Sequence, residues 1–334
     1  MIIFIIFEKR GKELHMGNSQ KESKFISLVI YLRNVENYIV HFLETVVPVC
    51  ENHFLNYEII CVNDGCTDST IQKLKEYLEE NKVSGMVNLI HMSFFQGMES
   101  AMNAGRDIAI GDFVYEFDDI YVDYEPEMLL KVYEKMIDGY DIVSASCKEK
   151  ISMSSTLFYT LYNKTSRLRN NIGPETFRLI SRRAINRVKS IGQYIPYRKA
   201  VYSNCGLSIS TLYYENQSTA RRMKNKTMTA ERTTLAIDSF IYFTNALERM
   251  SIIISATFLL ITIGVGIYII TDLFNAQKPV EGWLSTMGFL ALGFFGVFAL
   301  LTIILKYLSL ILNLIFKRQR YLIEDIEKVV KNDK

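Results

Sequence analysis

The sequence predicts an α/β domain built on a mostly parallel sheet, followed by two helices long enough to cross a bilayer. Three observations predict it. Short apolar runs alternate with helix-length stretches between residues 25 and 145, the pattern of strands joined by crossover helices. Two long runs near the C-terminus carry no charge at all. Charge is unevenly distributed: charged residues make up 22% of the 334-residue chain, yet between Met250 and Leu305 only Asp272, Lys278 and Glu281 occur.

The elements follow in order. Met1–Phe7 is apolar but far too short to span a membrane, with no basic segment before it and no small-residue cleavage site after it. Residues 1–24 are therefore expected to be an extended or poorly ordered start, with Met16 an alternative initiator. Ile26–Tyr31 reads as a first strand and Ile39–Val49 as a helix. Glu58–Val62 is a second strand that stops at Asn63-Asp64-Gly65, and a helix begins near Ser69, with Ile71, Leu74 and Leu78 on one side. Val87–His91 is a third strand. Gly97–Ile110 is a helix with Ala101, Ala104 and Gly105 on one face. Asp112–Phe117 is a fourth strand ending in Asp118-Asp119, Met128–Ile137 a helix, and Asp141–Ala145 a fifth strand.

Residues 25–230 are the expected globular unit, and 231–249 a helix lying along a membrane surface. Residues 250–270 and 284–305, 21 and 22 residues without a charge, are the expected spans. Basic residues flank both runs on one side: Arg221, Arg222, Lys224, Lys226, Arg232 and Arg249 before the first, and Lys306, Lys317, Arg318 and Arg320 after the second. The connecting residues 271–283 hold a single Lys. Positive residues stay inside, so the globular unit and the tail, residues 306–334, are expected to be cytoplasmic, with Trp283 anchoring the outer interface. The tail is expected to be amphipathic, and the whole chain to be integral to a bacterial inner membrane.

Composition removes other classes. A net charge of +2 with no concentrated basic field argues against nucleic acid. Five cysteines without a CxxC pair read as reduced thiols, not a disulfide framework or a zinc site. GxxxxGK[ST] is absent, and no GxGxxG follows the first strand, which excludes a nucleotide-hydrolase cradle and a nicotinamide site.

Ligands of such sheets bind beyond the carboxyl ends of the strands, so the polar residues at strand exits matter most. After the second strand, Asp64 is placed to hydrogen-bond a base or ribose. Asp68 is either part of that site or a cap for the next helix. After the fourth strand, Glu116 and Asp118 lie two apart and point the same way, with Asp119 at the turn. Clustered carboxylates repel one another, and a divalent cation relieves this; oxygen ligands suit Mg²⁺ or Mn²⁺, with substrate phosphates completing the shell. A solvated acidic loop continuing through Asp123, Glu125 and Glu127 is the alternative.

These residues resemble the inverting family 2 glycosyltransferases of GT-A fold, and more closely their membrane-anchored branch of polyprenyl- and dolichyl-phosphate sugar synthases and bactoprenol glucosyltransferases. The family's opening strand, Pro and Asn-Glu pair correspond to Leu28–Glu36, with Tyr31 in place of the Pro. Its "VDDGSTDGT" corresponds to Val62–Thr70, with Asn63 and Cys66 as departures. Its DxD region matches Phe117-Asp118-Asp119, without a literal DxD, and its Pro-Glu matches Pro126-Glu127. Its "GDFRL..R" is similar to Glu175–Arg183, where Thr176 replaces the Asp. The resemblance covers residues 26–313.

The resemblance implies a nucleotide-diphospho-sugar transferase fold and a donor NDP-sugar, a UDP-sugar by preference, held by Asn34, Glu36, Asp64 and Asp68. Arg178, with Arg182 and Arg183, would contact the diphosphate, and Mg²⁺ or Mn²⁺ would sit on Asp118 and Asp119 with Glu116 assisting. Glu175 would stand in for the missing Asp as base. The implied acceptor is polyprenyl phosphate or a lipid-linked glycan presented by the bilayer, and subunits of this branch associate through their spans. A catalytically degenerate membrane partner is the non-enzymatic alternative, motivated by Tyr31 and Thr176.

Overall fold

A computed structural model describes residues 21–148, 153–165, 171–191, 197–217, 282–316 and 321–329, with scattered positions between 253 and 267. Its strands are β1 (Ile26–Leu32), β2 (Tyr57–Asn63), β3 (Met86–Met92), β4 (Phe113–Phe117), β5 (Ile142–Cys147), β6 (Phe177–Ser181), β7 (Ile209–Tyr214) and β8 (Ile323–Val329). The helices are α1 (Ile39–His53), α2 (Thr70–Asn81), α3 (Met98–Ile108), α4 (Glu127–Ile137), α5 (Met153–Thr165), α6 (Arg182–Ile191), α7 (Arg198–Asn204) and α8 (Trp283–Phe316).

The strands form one sheet in the order β7-β5-β6-β4-β1-β2-β3-β8. β1 is parallel to both β2 and β4, and β2 to β3. A central parallel strand must be apolar on both faces, and β1, Ile-Ser-Leu-Val-Ile-Tyr-Leu, is buried along its whole length. The alternation divides the core in two. Leu28, Ile30, Ile59, Cys61, Tyr115 and Phe117 pack on the side of α1, α2 and α4. Val29, Tyr31, Ile60, Val62 and Val114 pack on the side of α3, α6 and α7. The small face of α3 lets it approach the sheet closely: a Cβ on Gly105 would lie 2.4 Å from Val29 Cγ1 and 2.8 Å from Val62 Cγ2.

Strand order reverses at β1, whose neighbours are β2 and β4, so a crevice opens beyond the carboxyl ends of β1 and β4. The five predicted strands and the four helices between them are present. The sheet also recruits strands not expected from the sequence. β6 inserts antiparallel between β4 and β5, and β7 extends the far edge parallel to β5.

At the opposite edge, β8 pairs antiparallel with β3 over Val87–Met92, with a register shift between His91 and Met92. This corrects the expected amphipathic tail: after α8 ends at Phe316, the chain returns to the sheet. Lys75 pairs with Glu327 at 2.8 Å, and Tyr321 Oη donates to Asp107 Oδ2 at 3.1 Å. The start of the described chain is also tied in, through a bridge between Glu22 and Phe54.

The expected interfacial helix 231–249 lies outside the described residues, as does most of 250–270. Residues 284–305 fall within α8, a helix of 34 residues. Its described side chains include exposed Phe294, Phe295, Phe298, Leu301 and Leu305. Side chains along α8 are described only in part, and over the described residues no helix is long and apolar enough to cross a membrane.

Candidate active site

The crevice is walled by two loops that knit together at the exits of β1 and β2. Asn34, in the left-handed region at φ 51°, accepts from Thr67 N at 2.8 Å through Oδ1. Glu36 Oε2 accepts from Ser69 N at 3.0 Å, and Asp68 Oδ2 returns the bond from Glu36 N at 3.1 Å. The other oxygen of Asp68 takes Thr70 N and Oγ1, at 3.1 and 2.6 Å. Asn34, Glu36 and Asp68 are thus brought together, and their hydrogen bonds tie one loop to the other and to the start of α2. For Asp68 this is an Asx turn onto Thr70 just before the helix, whose N-cap is Ser69.

Asp64 is buried at the exit of β2. Its Oδ1 accepts from Gln96 N at 2.8 Å, and its Oδ2 from Gly97 N at 2.9 Å and Tyr31 Oη at 3.2 Å. The carboxylate therefore anchors the loop that leads into α3. Tyr31, the departure from the family's Pro, supplies one of its three donors. Burial pushes the Asp64 carboxyl above its ordinary value despite those donors and nearby Arg33. The Arg33 guanidinium donates to Asp64 O at 2.9 Å and lies 4.6 Å from the centroid of the half-exposed Phe95 ring. Gly65, at φ 71°, leaves the arginine room: a Cβ there would sit 3.0 Å from Arg33 Nη1.

The exit of β4 is organised by two arginines. Arg178 faces Glu116 directly across the β4–β6 pair. Its three nitrogens donate to Glu175 Oε2 at 2.9 Å, Glu116 Oε2 at 3.0 Å and Asp118 Oδ2 at 2.7 Å. Arg198, at the start of α7, donates to Glu99 Oε2 at 2.8 Å, Glu116 Oε2 at 2.8 Å and Asp118 Oδ1 at 2.5 Å. Tyr202 Oη donates to Glu116 Oε1 at 2.8 Å, so both oxygens of that fully buried carboxylate have partners. Burial alone would raise the Asp118 carboxyl, but the Arg178 and Arg198 guanidiniums outweigh it and hold it well below the usual range. Burial raises Glu99 despite Arg198 beside it.

Several expectations need correction. Arg182 and Arg183 do not face the crevice. Because β6 runs antiparallel to β4, its end returns to the start of β4, where Arg182 N donates to Asp112 O at 2.9 Å. Arg182 then holds the Ala109 and Gly111 carbonyls, at 2.8 and 3.0 Å, and Arg183 forks onto Asp141. Arg178 is at the crevice as expected, but buried among carboxylates. Glu175 is spent on Arg178, and Thr176 joins Tyr214, whose hydroxyl donates to Asp123 at 2.6 Å.

The expected cation ligands fit poorly. Glu116 is enclosed, both oxygens of Asp118 carry guanidinium bonds, and Asp119 Oδ1 accepts from Tyr121 N at 3.1 Å. Among the described residues no group of three or more His, Cys, Asp or Glu is arranged to hold a metal. Arg198, Glu99, Tyr202 and Gln96 belong to the site without having been expected there. The available signal was indirect: buried acids on α3 and β4 require counter-charge from somewhere in the chain.

The family model described as "Glycosyl transferase family 2" matches residues 27–195. An uncharacterised glycosyltransferase of Synechocystis sp. is 24% identical over 313 residues, covering 90% of this chain and 95% of that protein. A bactoprenol glucosyl transferase of Shigella phage SfV is 30% identical over 201 residues, covering 57% of this chain and 62% of that protein. Among solved structures, glucosyl-3-phosphoglycerate synthase from Mycobacterium tuberculosis, in complex with Mn²⁺, UDP-glucose and phosphoglyceric acid, aligns with TM-score 0.47 at 12% identity. That alignment covers 67% of this chain and 82% of the other.

Proposed function

This chain belongs to glycosyl transferase family 2, and from that premise we propose that it moves a sugar from a nucleoside-diphosphate donor, a UDP-sugar, to polyprenyl phosphate at a cytoplasmic membrane face. That the chain is a glycosyltransferase follows from the family; donor, acceptor and location are our reading. The observation that carries the acceptor is α8. A helix of 34 residues exposes phenylalanines and leucines along its described length and continues, through β8, into the sheet that forms the crevice. Apolar surface of that extent is costly in water and stable in lipid. An enzyme joined to such a helix meets acceptors carried by lipid. The 30% identity to a protein named bactoprenol glucosyl transferase supports the same reading.

In this reading the donor lies across the carboxyl ends of β1 and β4. Arg33 and Phe95 offer a flat, cationic and aromatic edge beside the Asn34–Asp68 loops. The acceptor phosphate oxygen attacks the anomeric carbon in line as the bond to the nucleoside diphosphate breaks, inverting the centre. A phosphate acceptor is already anionic and needs no base to remove a proton. This is why Thr176 is tolerable where the family carries Asp, and why Glu175 can be committed to Arg178. No described group has to shuttle a proton.

The test uses the full chain in detergent with a panel of sugar nucleotides, with and without undecaprenyl phosphate. Released nucleotide and glycolipid are both followed. Glycolipid formed only when the lipid phosphate is present is the expected result. Transfer only to a prebuilt lipid-linked glycan would replace the acceptor, and no transfer with any donor would overturn the proposal.

A further inference from the structure

We infer that Glu116 and Asp118 are committed to an arginine pair in place of a divalent cation, so that donor binding at this crevice is independent of Mg²⁺ and Mn²⁺. The inference rests on the reading of the crevice as a nucleotide-sugar site. It is carried by the bonding at the exit of β4.

Each carboxylate there has its oxygens filled. Glu116 receives Arg178, Arg198 and Tyr202, and Asp118 receives one terminal nitrogen from each arginine. Two positions beyond Asp118, where a literal DxD starting there would place its second carboxylate, stands Ile120, buried in the same core as Phe117. The carboxylates have counter-charges already: Arg178 and Arg198 bond Glu99, Glu116, Asp118 and Glu175, Lys199 lies 3.9 Å from Glu175, and Arg106 reaches Glu116 through Tyr202. Both arginines are buried, and charge-assisted bonds of this kind are among the strongest a protein forms. A hard cation needs short contacts to several carboxylate or phosphate oxygens in near-octahedral array. To take Asp118 it would have to displace a terminal nitrogen of each of two buried guanidiniums, leaving Arg178 on Glu116 and Glu175 and Arg198 on Glu99 and Glu116, each one charge-assisted bond short. The guanidiniums hold the electrostatic position that a cation would otherwise hold.

Mn²⁺ binding to the full chain in detergent, followed by electron paramagnetic resonance with and without UDP, tests this directly. UDP affinity is measured alongside in EDTA and in Mn²⁺. The expected result is no protein-bound Mn²⁺ at the micromolar concentrations that load a dedicated site, and UDP affinity that agrees within about twofold in the two conditions. One Mn²⁺ bound per chain and lost in both Asp118→Ala and Glu116→Gln would overturn the inference, as would UDP binding that vanishes in EDTA. Because the unmodified protein gives the decisive reading, misfolding of a variant does not obscure it. The Mn²⁺ titration also decides the matter if UDP fails to bind at all, an outcome that counts against the donor reading alone.

Discussion

Asp118 sits where two buried guanidiniums converge, 19% exposed at its side chain and bonded on both oxygens. Its folded-state pKa lies below the unfolded value, so the fold binds fewer protons there than the open chain. The stabilisation is therefore complete above about pH 4 and is lost as pH falls through the depressed value. Glu99 and Asp64 act with the opposite sign: their raised values make the ionised form costly, and that cost shrinks on acidification. Asp118→Asn is expected to lower stability at pH 7 by about 2–3 kcal/mol, somewhat less than for a fully enclosed pair. The difference from the parent protein should narrow below about pH 4, where Asp118 of the unfolded chain takes up a proton while the folded carboxylate stays ionised down to its depressed value. Denaturant midpoints for both proteins across pH 3–8 provide the check, and a gap that stays constant to pH 3 would refute the pairing as its source. The acids themselves were legible in the sequence, because strand exits are short and carboxylates at them are conspicuous. Their partners were not: Arg178 and Arg198 come from 60 and 80 residues further along the chain, and no local spacing links them to Asp118.

Strands β1 to β5 were legible because each is a compact apolar run between helices of regular periodicity. β8 was not, for a definable reason. Its apolar residues Ile323, Ile326 and Val329 recur every third position, the spacing of a helix face, while Glu324, Asp325, Glu327 and Lys328 fill the gaps. Such a charged strand suits a sheet edge, where exposed pairing groups invite association and charges discourage it. The orientation of β6 was equally invisible, and it reverses the placement of Arg182 and Arg183. Close packing of α3 on β1 and β2 was foreshadowed by Ala101, Ala104 and Gly105, and it yields a sharp expectation. Gly105→Ala puts a methyl group against Val29 and Val62 in a space already filled. Overpacking of this kind costs about 1–3 kcal/mol. Thermal unfolding of the variant measures it, and an unchanged midpoint would show that the helix can move away from the sheet freely.

At the scale of the molecule, β8 joins the apolar segment that ends in α8 to the β3 edge of the sheet. Leu322 accepts from the Gln96 side chain at 2.6 Å and donates back to it at 2.8 Å, while Gln96 N holds Asp64. The fastening is thus two bonds from Asp64, the buried carboxylate at the exit of β2. A chain ended after Arg320 loses this contact and leaves the β3 edge unpaired. It is expected to self-associate, which size-exclusion chromatography in detergent would detect, whereas Glu327→Ala should cost under about 1 kcal/mol because that ion pair is 39% exposed on each side. The edge strand also sets an order of events during synthesis. Residues 26–214 can assemble seven strands as they leave the ribosome, but the eighth is translated last, after α8. Until Ile323–Val329 emerge, the growing polypeptide carries an open β3 edge, and a chain stopped before them would bear every crevice residue and still lack this strand. Completion of the sheet therefore waits on a strand made after every crevice residue.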